Sequence, residues 1–326
     1  MSELSLVQAV NAALKRAMSE DAAVIILGED VGIDGGVFRA TEGLFKQFGE
    51  QRVLDTPLAE ASIAGVSIGL AAQGFRPVAE IQFTGFAYSC IDQMLNHASR
   101  LRSRTRGRLT CPMVLRSPAG GGIKAPEHHS ESPEAMFAHI PGIKAVMPSS
   151  PARAYGLLLS AIRDPDPVVF LEPTRLYRAA RGEVADDGAG MPLGRCVTLR
   201  QGREVTIVSW GAMIKEALEA AEQLAADNIE AEVIDVATLK PLDTATILES
   251  VGRTGRLVIV YEAPMSCGFG AEIAARVAGR AITSLLAPIE RVTGYDTMMP
   301  YLRTEAHYMP NTVAIVAAAR RSMAYA

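Results

Sequence analysis

Short runs of β-branched and aliphatic residues alternate along the chain with longer segments of helical period, the pattern of parallel strands joined by crossover helices. Ser5–Met18 sets Leu6, Val10, Leu14 and Met18 on one helical face, with Ser5 and Gln8 spaced as a capping box, and Val24–Leu27 reads as the following strand. Glu60–Gln73 reads as an Ala- and Gly-rich helix stopped at Gly74, followed by a strand at Val78–Phe83. The small residues of that helix predict close packing. Strands at Met113–Arg116 and Val168–Leu171 flank a helix starting near Pro151, where a proline suits the first turn. From Ala179 to Pro192 the sequence turns polar and Gly-rich with no apolar period, as a linker does. The alternation then restarts: strand Val205–Ser209, helix Ile214–Ala226, strand Glu232–Val236, helix Asp243–Val251, strand Leu257–Tyr261 and a helix after Gly270. The pattern predicts an α/β protein of two doubly wound domains, residues 1–185 and 201–326, joined by a linker at 186–200.

Composition narrows the function. The chain has 326 residues, about twice the ~150 expected of one domain, and is 49% hydrophobic and 21% charged, which excludes a largely disordered chain. Its net charge of −4 leaves no basic surplus for nucleic acid. Cys90, Cys111, Cys196 and Cys267 show neither Cys-x-x-Cys nor metal-ligand spacing and are expected to be reduced thiols. The N-terminus lacks the basic and apolar regions of a signal peptide, and no apolar run reaches the ~18 residues of a membrane span, so the expectation is a cytoplasmic protein without membrane contacts.

Several segments carry candidate chemistry. Leu27 is followed by Gly-Glu-Asp-Val-Gly rather than Gly-x-Gly-x-x-Gly, which disfavours an ordinary nicotinamide dehydrogenase. Gly120-Gly121-Gly122 leads into Ile-Lys-Ala-Pro, not a helix, and lacks the ending of a P-loop; it is either a mobile or close-approach loop or a plain turn. Gly268 and Gly270 precede a helix, where they serve either an anion or simply helix entry. Glu60 stands at a helix start, where the dipole alone favours a carboxylate, and the alternative is a carboxylate turned into a cleft to hold a proton. Phe86, after a strand end, is either a core residue or a stacking surface for a flat ring. His128 and His129 follow the glycine loop and bring imidazole chemistry near neutral pH, with at most one of the pair expected to reach a shared site.

These segments carry a family resemblance. Gly28-Glu-Asp-Val-Gly, Gly35-Gly-Val-Phe-Arg-Ala-Thr-Glu-Gly-Leu, Asp55-Thr-Pro-Leu-Ala-Glu-Ala, the His129-Ser loop, the stretch from Leu157 to Pro173 and Gly268-Phe-Gly-Ala-Glu together resemble the beta subunit of the decarboxylating component of 2-oxo acid dehydrogenase complexes, of pyruvate or branched-chain type. The resemblance implies a thiamine diphosphate pyrimidine-binding domain followed by a transketolase C-terminal-like domain. It implies oxidative decarboxylation of a 2-oxo acid, with acyl transfer to a lipoyl group. The alternatives are an acetoin dehydrogenase beta subunit, a self-sufficient transketolase-like enzyme and a non-catalytic subunit that kept the fold.

By resemblance, Glu60 bonds the pyrimidine ring nitrogen, Phe86 lies against the pyrimidine, and His129 lines the substrate entrance and assists acyl transfer. His128 departs from the family pattern and carries no role. Ala161, Ile162, Asp164 and Asp166 match a potassium loop that binds largely through backbone oxygens, with Asp166 in place of a frequent Asn. The chain lacks the Gly-Asp-Gly and downstream Asn pattern that holds magnesium and diphosphate, so the Mg2+ ligands are expected mainly from an alpha subunit. The implied assembly is a heterotetramer of two alpha and two beta chains, docked on a lipoyl-bearing acyltransferase core through the second domain.

Overall fold

Ser5 caps the first helix as its spacing predicts: the Gln8 N–H donates to Ser5 Oγ at 3.4 Å, and the Ser5 N–H donates to Gln8 Oε1 at 2.9 Å. In the computed structural model, which describes residues 1–325, this helix runs Leu6–Glu20 and buries Leu6, Val10, Leu14 and Met18. It packs on the helix Pro151–Arg163, which Ser150 caps and Pro151 opens.

The main sheet has seven strands in the order Thr238–Lys240, Lys144–Val146, Val168–Pro173, Val114–Ala119, Arg76–Glu80, Val24–Gly28 and Val53–Asp55. All neighbours are parallel except the first pair. The second sheet has five strands in the order Glu290–Gly294, Leu257–Pro264, Val205–Ser209, Ala231–Asp235 and Val197–Arg200, with only the last pair antiparallel. Central strands of both sheets are wholly buried, as their predominantly apolar runs require.

The polar stretch between the halves is more ordered than its composition indicates. Arg181–Val184 pairs antiparallel with Ser2–Ser5, and Val197–Arg200 is an edge strand of the second sheet. Thr238–Lys240, from the second half, completes the edge of the first sheet beside Lys144–Val146. Hydrophobic packing is likewise continuous across the halves: one core cluster runs from Leu27 and Ile63 through Met147 to Trp210, Tyr261 and Phe269. Trp210 stacks on Tyr261 with ring centroids 5.2 Å apart and an interplanar angle of 12°. Among the described residues no helix is long and apolar enough to cross a membrane.

Candidate active site

The strand Val24–Gly28 connects on one side to Val53–Asp55, and the chain then returns through the helix Glu60–Ala72 to Arg76–Glu80 on its other side. Such a reversal marks a crevice position beyond the carboxyl ends of the strands, the place where open parallel sheets bind ligands. Glu29 leaves the end of the first of these strands and is 5% exposed, and neither of its carboxylate oxygens has a hydrogen-bond partner. Burial, and then the neighbouring charges of Glu60 and Asp30, raise its carboxyl above the ordinary glutamate range. Glu60 is half-buried in the first turn of its helix, and its backbone carbonyl accepts the Cys90 thiol at 3.2 Å.

Cys90 ends the 3-10 turn that Phe86 begins. Gly85, just before Phe86, has no room for a side chain: a Cβ there would lie 2.1 Å from the His128 carbonyl oxygen. That close approach brings the Phe83–Phe86 turn onto the turn Glu127–His129. The His129 imidazole consequently sits edge-on to two phenyl rings, 4.2 Å from Phe83 and 5.4 Å from Phe86 between centroids. Its Nδ1 is buried without a partner, and His128 faces outward and is exposed. Glu60, Phe86 and His129 therefore belong to one neighbourhood, and only one of the two histidines faces it.

Beneath the crevice lies a buried ion cluster that the sequence pattern did not suggest. Arg116 is bidentate to Glu172 at 2.7 and 2.6 Å and also pairs with Glu80, while the Tyr177 hydroxyl donates to Glu172. Glu80 and Glu172 stand near the carboxyl ends of the two strands flanking Val114–Ala119, and Arg116, midway along that central strand, ties them together below the loops. Glu29 also escaped sequence reasoning. Its signal was a carboxylate directly after a fully apolar run, at the outlet of a parallel strand.

The proposed potassium loop has its side-chain charges already engaged. The Asp164 carboxylate takes the Lys144 ammonium at 2.5 and 2.6 Å, and Asp166 takes Arg102 at 2.7 Å. The Ile162 carbonyl accepts from Arg76 at 3.1 Å, and the Ala161 carbonyl from the Asp164 N–H at 3.3 Å. A monovalent cation here is left to the remaining lone pairs of backbone oxygens. Among the described residues no group of three His, Cys, Asp or Glu side chains is arranged to hold a metal. Gly268 and Gly270 serve packing: a Cβ on either would meet the Tyr261 ring at 2.5 or 2.2 Å.

Residues 2–180 match the family described as "Transketolase, pyrimidine binding domain", and residues 194–315 the one described as "Transketolase, C-terminal domain". These matches and the fold define a transketolase-like chain that opens on a pyrimidine binding domain. The solved "Split gene transketolase, inactive beta4 tetramer" shares this fold at a TM-score of 0.82 over 99% of both chains, with 24% identity. The chain is 47% identical over 325 residues, the whole of both chains, to "Pyruvate dehydrogenase E1 component subunit beta" of Bacillus subtilis (strain 168). The protein of the same name from Acholeplasma laidlawii is 46% identical over 321 residues, 98% of each chain. The chain belongs to the family of pyruvate dehydrogenase E1 component beta subunits.

Proposed function

We infer that the chain is the beta subunit of a 2-oxo acid dehydrogenase acting on pyruvate and passing the acyl group to a lipoyl acceptor. The observation that carries this reading is the 47% identity, end to end, to a pyruvate dehydrogenase beta subunit, and the packing of His129 on Phe86 beside the helix start that bears Glu60 supports it. Thiamine diphosphate, when bound, supplies the electron sink for loss of carbon dioxide. The crevice fits its pyrimidine: it offers a carboxylate, aromatic faces, and the unpartnered polar atoms of Glu29 and His129.

In this reading the Glu60 carboxylate holds a proton at the pyrimidine ring nitrogen, a task for a group that shares or gives a proton while staying in place. Phe86 supplies a flat apolar surface for the ring. His129, held edge-on between Phe83 and Phe86, presents an imidazole for hydrogen bonding or proton donation to a dithiolane sulfur. Magnesium is assigned to ligands mainly of an alpha subunit. Potassium is assigned to the backbone oxygens around Ala161 and Ile162, with Asp164 and Asp166 shaping the loop.

Ile33 is 82% exposed and Leu58 80%, apolar side chains left uncovered in the isolated chain. The Gly32 N–H donates to Asp55 at 2.6 Å and so fixes the Ile33 loop near Leu58. We assign this face to the alpha subunit, in a heterotetramer of two alpha and two beta chains, and the second half of the chain to docking the lipoyl-bearing acyltransferase core. Calorimetric titration of thiamine diphosphate into the chain, alone and with its alpha subunit, tests the reading together with turnover on pyruvate, branched-chain 2-oxo acids and acetoin. Tight binding only in the assembly and preferred turnover of pyruvate are expected. A lone chain that binds the cofactor tightly and decarboxylates a 2-oxo acid would overturn it.

A further inference from the structure

The loop that carries His129 is held from the other half of the chain. It leaves the strand Val114–Ala119 at Gly120 and closes on itself where the Gly120 N–H donates to the Glu131 carbonyl at 2.8 Å. Inside it, Gly120, Gly122 and Lys124 adopt positive φ of 84°, 81° and 58°, which turns the N–H groups of the glycine run into a concave nest suited to an anion. Two carboxylates of the second half fill that nest. Glu305 accepts the Gly122 N–H at 2.9 Å and the Lys124 N–H at 3.2 and 3.0 Å, and Glu262 accepts the Gly121 N–H at 3.0 Å.

The two carboxylates differ in what balances them. Glu262 has the Arg175 guanidinium 3.3 Å away. Glu305 is 5% exposed, and among the described residues no Lys, Arg or His forms an ion pair with it. A buried carboxylate without a cation is tolerated only while hydrogen-bond donors point at it, so every loop shape that withdraws Gly122 and Lys124 is penalised. Sterics act in the same sense, because a Cβ on Gly121 would lie 2.4 Å from Met299 and one on Gly122 2.7 Å from Arg175.

We propose that Glu305, assisted by Glu262, is a positioning residue for His129: its carboxylate sets the shape of the loop 120–131 and thereby the placement of the imidazole against Phe83 and Phe86. The proposal rests on the reading of His129 as the residue of the acyl-transfer step. It also gives the second half a part in the reaction besides subunit contacts.

The test uses the full chain assembled with its alpha subunit, with Glu305→Ala, the near-isosteric Glu305→Gln, His129→Ala, and the double variant Glu305→Ala/His129→Ala. Amide hydrogen exchange over residues 120–131 reads the loop, while lipoyl acylation against decarboxylation with an artificial electron acceptor reads the chemistry. Glu305→Ala is expected to speed loop exchange without changing the strand Val114–Ala119. It is also expected to lower lipoyl acylation about 10- to 100-fold, the scale of a misplacement of about 1 Å, and to leave the artificial-acceptor rate within about twofold. Glu305→Gln, which keeps one acceptor oxygen, recovers part of both, and the double variant is no slower than His129→Ala.

Unchanged loop exchange in folded Glu305→Ala, an opened loop with undiminished lipoyl acylation, or additive losses in the double variant would each overturn the proposal. If His129→Ala lowers both assays equally, the reading of His129 falls, and the exchange contrast alone then decides whether Glu305 pins the loop.

Discussion

Removing Arg116 is the most discriminating perturbation of the crevice floor. The guanidinium is 1% exposed, Glu80 3% and Glu172 0%, so one cation and two carboxylates share a site without water. Arg116→Met leaves both carboxylates without a counter-charge. Stripping the partner from a buried ion pair costs about 3–5 kcal/mol, a shift of about two to four decades in the folding equilibrium. Glu80→Gln leaves the bidentate Arg116–Glu172 pair at 2.7 and 2.6 Å as a neutral unit. It also removes a carboxyl that burial already raises, so its cost is expected to stay near that of one hydrogen bond, about 1 kcal/mol. Urea titration followed by the fluorescence of Trp210, the one tryptophan of the chain, reads both variants, because Trp210 packs in the core cluster that joins the two sheets. A midpoint for Arg116→Met equivalent to less than about 1 kcal/mol of destabilisation, or equal losses in the two variants, would refute the electrostatic account.

Glu60→Gln is expected to leave the fold intact and to nearly abolish exchange of the thiazolium proton, read by NMR in the assembled enzyme; wild-type exchange would remove Glu60 from the proton relay. His129→Ala is expected to slow lipoyl acylation by about tenfold or more beyond its effect on the artificial-acceptor rate, and equal losses would point to a general substrate-binding or structural role. Glu134, whose Oε2 is buried without a partner, is pushed up to about 8, first by burial and then by the charge of Glu262. The folded chain therefore keeps a proton that the unfolded chain loses near pH ~4.3, and stability falls as pH rises from there to about 8, by at most about 5 kcal/mol. Glu134→Gln should flatten that slope in denaturation series between these limits, and an unchanged slope would count against the burial of its charge.

The elements that could be read in advance are those whose form depends on their own residues. Val205–Ser209 and Ile214–Ala226 fall on the residues that their periodicity marks, because a strand buried on both faces needs an aliphatic run and an amphipathic helix writes its stripe into the sequence. Ser2–Ser5, Arg181–Val184 and Thr238–Lys240 are strands only because a partner strand pairs with them, and three or four residues carry no period. The site divides in the same way. Glu60, Phe86 and His129 stand in motifs of the chain, whereas the unpartnered burial of Glu29 and the seat of Glu305 in the glycine loop arise from segments far apart in sequence.

The antiparallel strand Thr238–Lys240 has a consequence for synthesis of the chain on the ribosome. Once Val168–Pro173 has joined the sheet and until Thr238–Lys240 emerges, Lys144–Val146 is the outer edge of the first sheet and presents unpaired backbone groups over a buried apolar face. At about 5–20 residues per second, the ~65 residues between Pro173 and Thr238 take on the order of 3–13 s to appear. During that interval the nascent first half can pair edge to edge with another nascent copy, so chaperone occupancy is expected to concentrate on chains that have passed residue 173 and not yet reached 240.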